Sequence, residues 1–125
     1  MNKDAIAAAL NKFFPELAKL GAEFGYRSAS EIVRFCAYYL ATGATIDDAI
    51  DAAIVQKLLP KLHGSKARLG PVLKQLKKLA ETEKEVQEGE GTKKVPTPLY
   101  KLTHEKIVRM EKRLNDNGFT SFAEA

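Results

Sequence analysis

Gly25-Tyr26-Arg27-Ser28-Ala29-Ser30-Glu31-Ile32-Val33-Arg34-Phe35, and further on Gln56-Lys57-Leu58-Leu59-Pro60-Lys61-Leu62-His63-Gly64-Ser65-Lys66-Ala67-Arg68-Leu69, decide how this chain is read. Ser28 with Glu31 three residues later forms a capping-box pattern, in which hydroxyl and carboxylate each satisfy a backbone amide at a helix start. It predicts a helix from about Ala29 to Ala41, stopped by Gly43. Thr45 caps the next helix, whose first turn carries Asp47 and Asp48 where the helix dipole favours carboxylates. Ile46, Ala49, Ile50, Ala53, Ile54 and Leu58 recur at helical spacing as its buried stripe, and Pro60 and Gly64 end it.

Working outward, Ile6, Ala9, Leu10, Phe13, Leu17 and Leu20 mark an N-terminal helix, kinked or divided at Pro15, with Gly21 and Gly25 at its exit. A fourth helix is expected to begin near Gly70-Pro71, because proline costs nothing at a first helical position but deletes a bond further in. It should bury Val72, Leu73, Leu76, Leu79 and Ala80. Residues 81–98, ETEKEVQEGEGTKKVPTP, read as an exposed, mobile acidic loop, and only Val95 to Leu102 suggests a short extended piece. A last helix from Thr103 should bury Ile107, Val108, Met110 and Leu114, end at Gly118 as a left-handed cap, and be followed by Phe119 and Phe122 folding back on the core. The expected fold is all-α, a compact bundle of about five helices forming one domain over residues 1–125, with a flexible acidic loop at about 81–98.

The 125 residues suffice to bury roughly two-thirds of the unfolded surface. With 45% hydrophobic and 29% charged residues, the composition is that of a soluble globular domain. No apolar run approaches the ~20 residues of a membrane helix, and the opening lacks the pattern of a secretory signal. The expectation is a cytoplasmic protein without a membrane partner. Cys36, the single cysteine, falls on an apolar helical face and reads as core rather than as a reactive thiol.

The net charge of +4 is unevenly spread: from Ala52 to Ala80 there are seven basic residues and no acid. Lys57, Lys61, Lys66, Arg68, Lys74, Lys77 and Lys78 are therefore candidates for a basic contact surface. Two readings stand side by side, a phosphate-binding face for DNA or RNA and a solvated helix face that meets an acidic protein. The segment has no aromatic residue on which a base would stack.

Chemistry-bearing motifs are absent. The chain has neither a phosphate loop nor a dinucleotide fingerprint. His63 and His104 lack the companions a metal or a nucleophilic triad would need. His63 reads as a loop residue bonded to a backbone carbonyl, and His104 has no assigned role. No metal is expected, no catalytic residue is identified, and the chain by itself is not expected to be an enzyme or to need a cofactor.

Gly25-Tyr26-Arg27, Leu59-Pro60-Lys61-Leu62-His63-Gly64-Ser65, Lys106-Ile107-Val108-Arg109-Met110 and Gly118-Phe119-Thr120-Ser121-Phe122 together resemble the C-terminal helical portion of McrB-like AAA+ proteins, the nucleotide-driven motors of modification-dependent DNA restriction systems. The likeness runs from about Phe24 to Phe122. It implies a helical lid that follows a nucleotide-binding core, with the AAA+ core domain or a neighbouring subunit as partner, DNA as a further candidate partner, and ATP or GTP with Mg as the parent motor's cofactors. It also implies a sensor-2 role for Arg27, at the position where a lid arginine reaches the terminal phosphates. A guanidinium at a helix start suits that role, since its fork bonds two phosphate oxygens; the alternative is a surface arginine paired with Glu23 or Glu31. The chain departs from the family in lacking the phosphate loop, the metal-binding acid and the finger arginine, so it reads either as a piece of a motor or as a stand-alone relative.

Overall fold

A computed structural model describes residues 3–19, 26–123 and 125; the side chains of residues 3 and 26–29 lie outside that description. Five helices run in the order α1 (Lys3–Ala18), α2 (Tyr26–Ala41), α3 (Ile46–Ala53), α4 (Lys66–Leu79) and α5 (Lys101–Asn117). Four strands accompany them: β1 (His63–Ser65), β2 (Glu81–Glu88), β3 (Gly91–Pro98) and β4 (Phe119–Ser121). The all-α expectation is therefore wrong. β1 pairs with β4 and β2 with β3, each pair antiparallel, giving two small sheets beside the helices.

The helical periodicity buries one core. Ile6, Leu10, Phe13 and Leu17 of α1 meet Ile32 and Cys36 of α2, Ile50 and Ile54, Leu69, Leu73 and Leu76 of α4, and Ile107, Met110 and Leu114 of α5. Each large aliphatic side chain so buried contributes about 1.5–3 kcal/mol relative to exposure. Pro15 lies inside a single α1. Thr45 caps α3 as its sequence implies, its Oγ1 accepting the Asp48 amide at 3.1 Å. The Ser28 box does not sit at a helix start, because α2 already runs from Tyr26. Gly21 and Gly25 lie outside the described residues.

Beyond Ala53 the helix widens into a π-turn, Ile54–Leu58, in which the Leu59 amide reaches back to the Ile54 carbonyl, and then tightens into a 3-10 turn, Leu59–Lys61. Pro60 has no amide with which to continue the α ladder, so the last turns take other spacings.

α4 begins at Lys66, not near Pro71. Pro71 sits on its exposed side, where water can satisfy the carbonyl the proline leaves free. The helix start is fixed instead by the Lys66 amide, which donates to the Gly118 carbonyl at 2.9 Å. α5 starts two residues before Thr103 and ends as expected at Gly118, with φ +74 and an amide bonded to the Leu114 carbonyl. Two inward assignments fail: Val108 is 41% exposed and Phe119 47%, whereas Phe122 packs on the core.

The segment 81–98 is a hairpin rather than a mobile loop. Glu81↔Pro98 through Glu88↔Gly91 pair in unbroken register, leaving Gly89-Glu90 as a two-residue turn. Gly89 has φ +62, the left-handed value that a turn with glycine at its first central position requires.

Candidate functional site

The seven basic residues of the acid-free stretch do not share one plane. Lys57 and Lys61 leave the π- and 3-10 turns on the side facing α2, lining a depression of about 260 Å³ with Glu31, Ile32, Gln56 and Pro60. The Lys57 ammonium lies 5.9 Å from the centre of the Phe35 ring. On α4, with about 100° between successive residues, Lys74 and Lys78 lie on the half opposite the buried Leu69, Val72, Leu73 and Leu76. Lys66 and Lys77 lie on one flank between the two faces and Arg68 on the other, and Lys77 reaches Glu111 of α5 at 3.6 Å. The outward cationic face of α4 thus reduces to Lys74 and Lys78, with the exposed Arg68 on the flank on the Lys78 side.

The same periodicity gathers charges that a linear tally of residues 99–125 hides. Lys101, Arg109, Lys112 and Arg113 share the solvent side of α5, with Glu105 and Asp116 among them. Two surface hollows follow. One, of about 520 Å³, lies between the base of the hairpin and α5 and is lined by Thr97, Pro98, Lys101, His104, Glu105, Val108 and Arg109. The other, of about 450 Å³, is lined by Arg109, Lys112, Arg113, Asp116 and Ala125. Lys106 lies between α5 and the tail: its ammonium donates to the Ala125 carbonyl and sits 4.4 Å from the centre of the Phe122 ring. Desolvation there, with Arg109 adding repulsion, pushes the Lys106 ammonium below the usual lysine range.

His104 acquires a role that its sequence position did not suggest. Its Nε2 is 2.9 Å from Glu81 Oε1, both side chains about four-fifths buried, so α5 holds the first residue of the hairpin. His63 stands exposed in β1, opposite Ser121, and is not the loop residue expected from sequence.

The Leu59–Ser65 string now has a physical account. Leu59 and Leu62 are buried, and His63, Gly64 and Ser65 pair with Ser121, Thr120 and Phe119. The Phe122 amide extends the junction to the Leu62 carbonyl at 3.3 Å. Gly64, at φ +146, occupies backbone space that other residues rarely adopt. The two strings, far apart in the sequence, are one joint.

Arg27 lies in the first turn of α2, and its side chain is outside the described residues. Among the described residues no group of three or more His, Cys, Asp or Glu is placed to hold a metal, and no helix is long and apolar enough to cross a membrane. Burial of Cys36, whose Sγ faces the Ala49 carbonyl at 3.7 Å, raises its thiol pKa and leaves it a core residue.

A family model described as a domain of unknown function, DUF8727, matches residues 1–119. No curated protein and no solved structure matches the chain.

Proposed function

We propose, for a chain that belongs to the DUF8727 family, that it is the helical lid of a nucleotide-driven motor of the McrB-like AAA+ type, modified from an all-helical lid by the hairpin between α4 and α5. The carrying observation is the β1–β4 joint. Leu59–Ser65, whose Leu-Pro-Lys-Leu-His-Gly is the unusual string of the resemblance, and Gly118–Phe122, which carries its closing part, are bonded to each other through His63–Ser65 and Phe119–Ser121. A likeness confined to two unrelated loops would have no reason to fall on both halves of one joint. Arg27 in the first turn of α2 supports the sensor role, because the backbone amides and the dipole at a helix start favour phosphate. In this reading the motor core or a neighbouring subunit is the partner, ATP or GTP with Mg belongs to that core, the compartment is the cytoplasm, and the lid contributes no catalytic base or metal ligand of its own. The test is nucleotide hydrolysis by the native polypeptide, with and without Arg27→Ala. An interaction made with transferring phosphate lowers kcat on removal and leaves the fold intact.

A second reading rests on the outward face of α4 and the flank beside it. Arg68, Lys74 and Lys78, with no acid in that helix, suit a polyanion, either nucleic acid or an acidic protein surface. Binding to duplex or single-stranded DNA that weakens steeply with salt, and more weakly once these three residues are changed to Gln, supports it. Salt-independent behaviour in both proteins removes it.

A further inference from the structure

The two edges of the hairpin differ in kind. In a two-residue hairpin the flanking pair, here Glu88 and Gly91, exchanges hydrogen bonds, and bonded and non-bonded pairs then alternate along the ladder. Glu81, Glu83, Glu85 and Gln87 therefore occupy non-bonded positions, with their backbone amides aimed away from β3. On β3 two of the four corresponding positions are Pro96 and Pro98. Prolines there remove nothing from the ladder and leave the half of that edge nearest the helices with no amide to offer a neighbour, only Thr92 and Lys94 near the turn keeping theirs. β2 has no such protection: its outward amides run uninterrupted by proline, and the residues bearing them place three carboxylates and an amide side chain on one face. Lys94 approaches Glu83 at 3.8 Å, but both side chains are 68% exposed and the pair is weak and screened. Both faces of the hairpin are open, a condition in which two strands alone are marginally stable.

We propose that the outer edge of β2 is a strand-addition site, and that its occupant is an extended segment of a partner polypeptide with Lys or Arg at alternate positions. Such a segment completes the unpaired backbone groups of β2 and sets its cations against Glu83 and Glu85. Its intervening residues fall on the opposite face, beside Lys84 and Val86, where uncharged β-branched side chains fit the pleat. A second copy of β2 is a poor occupant, since pairing would bring glutamates against glutamates.

The probe is a blocked hexapeptide alternating lysine and valine, titrated into the full chain at low salt, with a peptide of the same composition in two blocks as comparison. Expected is slowed amide exchange at Glu83, Glu85 and Gln87, and affinity about tenfold above that of the block peptide, a free-energy difference of about 1.4 kcal/mol. Glu85→Pro removes one outward amide without touching the ladder and lowers affinity at least about tenfold, with exchange protection of Lys84 and Val86 retained. Should that variant lose the hairpin, Glu83→Lys with Glu85→Lys replaces it, and preference transfers to an alternating glutamate and valine peptide. Equal affinity for both lysine peptides, protection on β3 instead of β2, self-association of the chain through β2, or no binding overturns the proposal.

Discussion

Asp51 and Thr103, 52 residues apart, are joined by two hydrogen bonds: the Thr103 amide donates to Asp51 Oδ1 at 2.8 Å, and the Thr103 hydroxyl to the Asp51 carbonyl at 3.3 Å. Asp51 Oδ2 accepts the Leu102 amide at 2.9 Å. The carboxylate, only 6% exposed, thus caps α5 from α3 in place of a local residue, for Tyr100 at the N-cap supplies no side-chain bond. The neighbouring Tyr100 phenol is raised in pKa by burial first, and then by the charges of Asp47 and Asp51.

Asp51→Ala strands the buried Thr103 amide and the part-buried Leu102 amide at the start of α5 and should cost about 2–4 kcal/mol. Asp51→Asn keeps one acceptor oxygen and should cost roughly half as much. Urea denaturation of both variants checks the order; an Ala variant as stable as the parent means that α5 is capped by other means.

Cys36 should resist alkylation in the native state, since burial disfavours the thiolate that reacts. Its modification rate by iodoacetamide in graded urea should track global unfolding. Fast, urea-independent labelling would contradict its place in the core.

Thr120 is fully buried in β4, and its hydroxyl has no hydrogen-bond partner. Replacing an unsatisfied group with an apolar one of the same shape removes a desolvation penalty, so Thr120→Val should stabilise the chain by about 1 kcal/mol. A loss of stability on thermal melting would show that the hydroxyl is satisfied.

Replacing residues 83–96 with a two-residue turn, with the Glu81–His104 bond kept, should change stability by less than about 0.5 kcal/mol, because these strands bury almost nothing against the core. A fall comparable to that of a core deletion would mean that the hairpin covers buried surface.

Where apolar side chains set the period, the fold was legible: the α1 stripe from Ile6 to Leu17, the buried Ile50, Ala53, Ile54 and Leu58, the Thr45 cap and the Gly118 stop lie where the sequence puts them, while Leu20 falls outside the described residues. The hairpin was not, because its strands carry charged residues on both faces and no alternation of apolar and polar side chains marks them. Its signals were Gly89-Glu90 midway between two eight-residue runs and the β-branched Thr82, Val86, Thr92, Val95 and Thr97. The start of α4 is not legible from Pro71, because the Gly118 carbonyl that anchors Lys66 is a partner no local pattern reveals. Asp51 escaped notice for the same reason. The basic stretch was visible as a charge count, but helical rotation divides it among three surfaces.

The lid reading is tested most directly by steady-state hydrolysis of ATP and GTP by the native polypeptide that carries this chain, together with any subunit that copurifies. The account predicts Mg-dependent turnover that Arg27→Ala reduces by about 100-fold or more in kcat, with an unchanged melting temperature and little change when Lys57, Lys61 and Lys66 are replaced together. No turnover of either nucleotide, or turnover that Arg27→Ala leaves intact, contradicts it.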